Sequence, residues 1–252
     1  MTIATNFTFP YVHLGVLMEK YDKKNPTSYA IGTTLAIEAL LRKGEYVKKL
    51  YVSVKQNRDE TYQKLMSLAK LNNVSVIENN QKIFSSLSGK DNVMFIAEFT
   101  KFSSSIDIKG NHVVLVNPSN MGNLGTIMRS SAAFGISFLA IISPGADAFD
   151  PKVIRSSMGA IFSLPFAYFP SFEEYAKQAG ERHYYPFMLQ SSTDLRSIKK
   201  EKPYSLVFGN EATGLDDSYL KIGTPVKIPQ SSMVDSLNLD NAVSIGIYSF
   251  LD

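Results

Sequence analysis

Three stretches of the chain set amide, hydroxyl, carboxylate and guanidinium groups beside glycines: NMGNLGTIMRSSAAFG at 120–135, LVFGNEATGL at 206–215 and VKIPQSSMVDSLNLDNAVSIGIYSF at 226–250. Each joins a strand-like run to a turn rich in glycine or asparagine, which suggests one composite site. In the first, Asn120, Gly122, Asn123 and Gly125 read as a turn entering a helix that carries Arg129. Glycines let backbone approach a ligand closely and free amides at a helix start can hold an oxyanion, so this turn suits an RNA phosphate. Arg129 follows Asn123 by six residues, and both reach one crevice if the arginine leans back toward the helix N-terminus. A solvent-exposed arginine is the plain alternative.

In the second stretch Gly209 directly follows an apolar strand and precedes Asn210, Glu211, Ala212, Thr213 and Gly214. A carboxylate there can orient an amide, a hydroxyl or an arginine, and glycines admit a flat ligand against the backbone. An exposed turn fits the same residues. The third offers backbone groups around Ile228 and Pro229, then Ser236, Leu237 and Asn238 at the start of the last helix. An asparagine amide fixes a ribose hydroxyl by donating and accepting at once. Ser236 also suits a helix N-cap.

Other chemistries lack their motifs. The order N-x-G-N-L-G is not the dinucleotide fingerprint, and there is no phosphate loop ending in Gly-Lys-Ser/Thr. No G-x-S-x-G elbow occurs, and His13, His112 and His183 have no spacing that marks a triad or a zinc cluster. His112 precedes a buried strand and reads as structural. The absence of cysteine removes disulfides, thiolate metal sites and cysteine nucleophiles, and makes the cytoplasm the default compartment. No metal is expected.

The elements that must position these groups follow from periodicity. Helices are predicted at 33–42, 59–70 and 81–87, with strands at 47–54, 74–77 and 92–98, a small α/β/α layer module. The polar, serine-rich stretch 101–110 reads as a linker. Beyond it come strands at 112–118, 136–142, 184–189, 205–210 and 224–229, with a further one at Ala160 to Leu164. Helices alternate with them at 124–133, 151–159, 172–179 and 240–251, which implies an α/β domain with a mostly parallel sheet covered on both faces. Residues 1–27 contain a short helical pattern and a lysine cluster, and read as an arm.

With 252 residues, 44% of them apolar, the chain can bury one large core or two ordinary ones. A net charge of +3 from 26 basic and 23 acidic side chains permits a nucleic-acid partner without demanding one. No run approaches the length of a membrane span, and no basic segment followed by an apolar core opens the chain, so a soluble protein is expected.

In that order, NLGTIMR at 123–129, LVFGNEATGL at 206–215 and IPQSSMVDSLNLDNAVSI at 228–245 resemble the three motifs of the SpoU/TrmH branch of the SPOUT methyltransferases. The resemblance implies a domain at 111–252 with a deep trefoil knot, S-adenosylmethionine held in bent form, and methyl transfer to an RNA ribose 2′-hydroxyl. It implies a catalytic and RNA-positioning group of Asn123, Arg129, Glu211, Ser236 and Asn238, with the cofactor against Gly209, Ile228 and Leu237. In these roles Asn123 holds Arg129 or the ribose, and Glu211 orients the guanidinium or an RNA amine. Asn117 and Asn120 stand where the family often has an acidic residue, and Gln230 and Ser232 where Met and Gly are common.

Residues 28–100 resemble the ribosomal-protein-like RNA-binding module that often precedes this domain, through Gly32, EALLRKG at 38–44 and VKKLYVS at 47–53. Lys48, Lys49, Arg58 and Arg129 are the expected RNA contacts. Ribosomal RNA is favoured over transfer RNA, and a homodimer is implied, with Ala242, Ile245, Ile247 and Phe250 as candidate contacts. SPOUT-type base methylation and a noncatalytic RNA-binding assembly factor remain the alternatives.

Overall fold

A computed structural model describes residues 20–78, 80–88 and 92–251. Its elements run β1 (Thr27–Ile31), α1 (Thr33–Lys43), β2 (Val47–Val52), α2 (Glu60–Leu71), β3 (Ser75–Glu78), α3 (Gln81–Leu87) and β4 (Phe95–Thr100). These build a four-stranded sheet in the order β1-β4-β2-β3, antiparallel except for the β2/β3 pair. The amphipathic faces of α1 and α2 bury Leu35, Ala36, Leu40, Leu65 and Ala69 on one side of it. Ile83 and Phe84 of α3 cover Tyr29, Ile31, Tyr51 and Ile96 on the other.

The second half continues with β5 (His112–Val116), α4 (Met121–Ala133), β6 (Phe138–Ile142), α5 (Pro151–Ser156), β7 (Phe166–Phe169) and α6 (Phe172–Ala179). It ends with β8 (His183–Pro186), β9 (Tyr204–Phe208) and α7 (Leu239–Ser249). The five strands form a fully parallel sheet in the order β7-β6-β5-β9-β8. HVVLV, FLAII and YSLVF are continuous apolar runs because both faces are covered, by α4, α5 and α7 on one side and α6 on the other.

Several elements differ from expectation. Thr27–Ile31 is a strand, registered Tyr29 to Glu98 and Ala30 to Ala97, whose polar TS start and shortness hid its period although Asn25-Pro26 and Gly32 bound it. Residues 1–19 of the expected arm lie outside the described residues. The strand predicted at Ala160 to Leu164 is a single 3-10 turn, Ala160–Phe162, entered through Gly159 at φ 87°, and the strand begins only at Phe166. The 224–229 run makes two isolated bridges, Phe187 with Val226 and Asp194 with Lys227, because no regular strand flanks it on its far side. Helix α4 starts three residues early, capped by Asn120, so Gly122, Asn123 and Gly125 are helical.

The two sheets share one apolar core. Phe99 of β4 meets Phe162 edge-on at 5.2 Å, while Phe102 meets Phe149 at 5.2 Å and 89°. Phe102 lies within 101–110, so that irregular segment is anchored by a buried ring.

Candidate active site

At the carboxyl ends of a parallel sheet, a crevice opens where successive connections leave in opposite directions. Here β5 lies between β6 and β9, and the turn after β5 faces the loop after β9. Asn117 takes a left-handed φ of 53°, a conformation asparagine tolerates, and its carbonyl accepts from the Asn210 side chain at 2.7 Å. Glu211 completes the junction. Its carboxylate accepts from the Ser119 amide at 3.0 Å, the Ser119 hydroxyl at 2.9 Å and the Asn120 amide at 3.0 Å.

These bonds overturn the phosphate reading of the turn. Asn120 Oδ1 already takes the Gly122 and Asn123 amides, at 2.8 and 3.1 Å, and Glu211 takes those of Ser119 and Asn120. The chain's own carboxylate therefore fills the expected oxyanion position. Burial alone would raise the Glu211 carboxyl; the amides of Ser119 and Asn120 and the Ser119 hydroxyl outweigh it and hold the group below its ordinary value, hence ionised. Gly125 is likewise buried against α5 and has no open face for a ligand.

The third segment joins through Asn123, whose Nδ2 lies 3.3 Å from both Glu211 Oε1 and Asn238 Oδ1. Asn238 Oδ1 also accepts the Leu239 amide at 2.8 Å and caps α7, which leaves the Ser236 hydroxyl free for other work. The three stretches thus converge. Beside this junction opens a cavity of about 260 Å³, lined by Gly209, Glu211, Ile228, Ser236 and Leu237 of the second and third stretches, while Asn123, Arg129 and Asn238 do not line it.

Arg129 is not drawn into this junction. Six residues at about 100° each place it about 120° around α4 from Asn123, and it stands exposed without a hydrogen bond or ion pair among the described residues. The expected Asn123–Arg129 and Glu211–Arg129 contacts are therefore absent, because both partners are spent on the loop junction.

Sequence reasoning missed Phe187, Met188, Leu189 and Gln190, which form one wall of the cavity. Phe187 stacks on Phe208 at 4.3 Å and 21°. Nothing local marks this: the run reads as the end of a strand, and only the parallel β8/β9 pairing sets it beside β9.

The expected RNA contacts of the first sheet differ among themselves. Lys48 is exposed and has no partner among the described residues, whereas Lys49 is tied to Glu98 at 3.1 Å and Arg58 lies 3.6 Å from Glu78 and over the Tyr62 ring. Ile247 and Phe250, expected at a subunit contact, are buried within the chain; Ile245 and Tyr248 are the exposed apolar positions of α7.

The model of the SpoU rRNA methylase family matches residues 110–248, more than half of the chain and all three convergent segments. The chain belongs to the SpoU rRNA methylase family. A second model, for the substrate-binding domain of RNA 2′-O ribose methyltransferases, matches residues 29–104 ahead of the SpoU domain. Among curated relatives, the 23S rRNA (uridine(2479)-2′-O)-methyltransferase of Streptomyces viridochromogenes is 32% identical over 54% of this chain, which spans about half (50%) of that relative's length. A putative tRNA (cytidine(34)-2′-O)-methyltransferase of Listeria innocua is 31% identical, over 56% of this chain and 86% of its own. An AdoMet-bound rRNA methyltransferase from Sinorhizobium meliloti superposes with a TM-score of 0.76 at 28% identity, covering 89% of this chain and 87% of that one. The α/β architecture of both sheets is thus that of solved SpoU-type enzymes.

Proposed function

We propose that this SpoU protein transfers a methyl group from S-adenosylmethionine to a ribose 2′-hydroxyl of structured RNA, with ribosomal RNA the preferred class. The observation that carries the reading is the junction of three distant segments through Glu211, Asn123 and Asn238, beside a cavity lined by the second and third. The preference for ribosomal RNA is supported by extent: the solved rRNA methyltransferase superposes over 89% of the chain, both sheets included, whereas a solved structure concerned with 2-OH methylation of C/U34 on tRNA covers 57%.

The residues present suit the cofactor. Phe187, Met188, Leu215, Ile228 and Leu237 offer apolar walls to a flat base, and Asn210, Gln190 and Ser236 offer polar groups to a ribose and an amino-acid chain. Gly209 abuts the Gly214 backbone so closely that a Cβ would stand 2.1 Å from the Gly214 carbonyl carbon, which keeps this loop flat against the cavity. When bound, S-adenosylmethionine supplies a methyl group activated by its sulfonium. The chain's work is then alignment, which contributes several powers of ten without a covalent enzyme intermediate.

In this reading Glu211 and Asn123 hold the cavity's loops in register, Ser236 reaches the substrate ribose, and Asn238 fixes the start of α7. Gly209, Ile228 and Leu237 bind the cofactor. Arg129, exposed and without a partner among the described residues, holds the phosphate next to the target ribose. Lys48 and Arg58 grip the RNA, Lys49 contributing less because Glu98 offsets its charge. The same reading takes 28–100 as the RNA-binding domain, 101–110 as linker, 111–252 as the methyltransferase domain with its threaded trefoil, and a homodimer contact through Ile245 and Tyr248.

The test is to incubate the protein and labelled S-adenosylmethionine with RNA from a strain lacking it, digest, and map the product by mass. A nuclease-resistant ribose-methylated dinucleotide is expected; label on a free base, or tight RNA binding without product, rejects the reading. Arg129→Ala should abolish nearly all product with its thermal midpoint unchanged, since the side chain is exposed and makes no hydrogen bond or ion pair among the described residues. Undiminished turnover removes Arg129 from the reaction.

A further inference from the structure

A half-buried polar cluster lies outside the site, around Asp147 in the loop between β6 and α5. The Asp147 side chain is 13% exposed. It accepts hydrogen bonds from the Tyr21 hydroxyl and, at 3.0 Å, from the Phe149 amide, and the Lys101 ammonium stands 3.8 Å away. Lys101 in turn donates to the Lys23 carbonyl at 2.8 Å and sits 4.9 Å above the Tyr21 ring. Burial and the Asp147 carboxylate push the Tyr21 hydroxyl far above its usual value, so it remains a donor. Three separated stretches, 21–23, Lys101 and 147–149, are thus tied to one carboxylate.

The loop reaches in both directions. Toward the first sheet, Ser28 of β1 donates to the Phe149 carbonyl at 2.5 Å. Toward the cavity, the Ala146 amide donates to the Pro118 carbonyl at 2.7 Å, one residue before the Ser119 and Asn120 amides that hold Glu211. Tyr168 braces the span, donating to the Ala146 carbonyl at 2.6 Å and accepting the Ala148 amide at 2.7 Å.

We infer that Asp147 is a positioning residue: it makes loop 143–150 a strut that holds the RNA-gripping sheet in fixed register with the 117–120 turn. A structured RNA held by the first sheet then presents its ribose to the cavity without a search over domain orientations. The inference rests on the RNA methyltransferase reading, and Asp147 itself touches neither substrate nor cofactor.

Tyr21→Phe removes one hydroxyl, and Asp147→Asn keeps an acceptor oxygen while removing the charge that faces Lys101. With hypomethylated ribosomal RNA as substrate, each should lower kcat/KM about tenfold, mainly through KM, while calorimetry finds S-adenosylmethionine affinity within about twofold of the parent. The double variant should be no worse than Asp147→Asn alone, because Tyr21 acts through that carboxylate. In the variants, amide exchange should quicken at Ala146, Ser119 and Asn120, which is read without turnover. Unchanged kcat/KM for RNA, or faster exchange confined to 20–26, overturns the strut. A parent protein that methylates no RNA defeats the functional reading instead, and exchange at Ser119 and Asn120 still decides the coupling.

Discussion

At the scale of single residues, side-chain identity announced which groups matter, and partners decided what they do. Glu211 reads as a carboxylate available to an arginine, yet it is consumed by the amides of a turn ninety residues away. His112 shows the converse, a residue read as structural whose environment makes a measurable claim. Its Nδ1 lies 2.8 Å from the Tyr175 hydroxyl, its Nε2 2.6 Å from the Asp107 carbonyl, and Tyr175 continues to Ser205 at 2.6 Å, near Arg182. Burial first, then the Arg182 charge, lowers its pKa from 6.5 to about 4. The unfolded chain therefore binds the extra proton between these values, so stability falls as pH drops through that window and levels off below it. The expected loss between about pH 7 and pH 5 is on the order of 2 kcal/mol. Urea unfolding of the parent and of His112→Gln checks this; equal pH slopes in the two would remove the histidine from the account.

At the scale of elements, hydrophobic periodicity found most helices and the central strands, because those runs are long and covered on both faces. It failed at β1, a short strand buried on both faces and so without an alternating pattern, and where the pairing is irregular or missing, at the 160–164 run and at 224–229. Glycines were the other blind spot. Gly125 looked like a place for a ligand, but it is the point where α4 crosses α5: a Cβ there would stand 1.9 Å from Ser156 Oγ and 2.6 Å from the Val153 carbonyl oxygen. Gly125→Ala should cost about 1–3 kcal/mol by forcing the helices apart. Adding Ser156→Gly should recover only part of this, since the carbonyl remains. Thermal melts of the single and double variants test the point, and an unaltered midpoint in Gly125→Ala sinks it.

At the scale of the molecule, the cores of the two sheets are continuous, so the sheets should unfold as one cooperative body. Phe102 carries that continuity, with Phe99, Phe149, Phe162 and Phe166 around it, all within 6.4 Å ring to ring. Phe102→Ala should cost about 3–5 kcal/mol and leave a hole between the halves. Scanning calorimetry should then resolve two transitions where the parent has one. A variant that still melts in a single transition near the parent midpoint contradicts the shared-core account.

What residue order alone determined was the set of chemical groups, the α/β alternation and the family, since motif spacing and apolar period are local properties. What only the tertiary structure decided was which groups meet. Residues 119, 123, 187, 211 and 238 are far apart along the chain, and the parallel order β7-β6-β5-β9-β8 brings them to one crevice. Hydrogen bonds and packing act over a few ångströms of space and take no account of sequence distance, so a turn that looked open to phosphate is closed by a distant carboxylate, and an arginine that looked paired stands free.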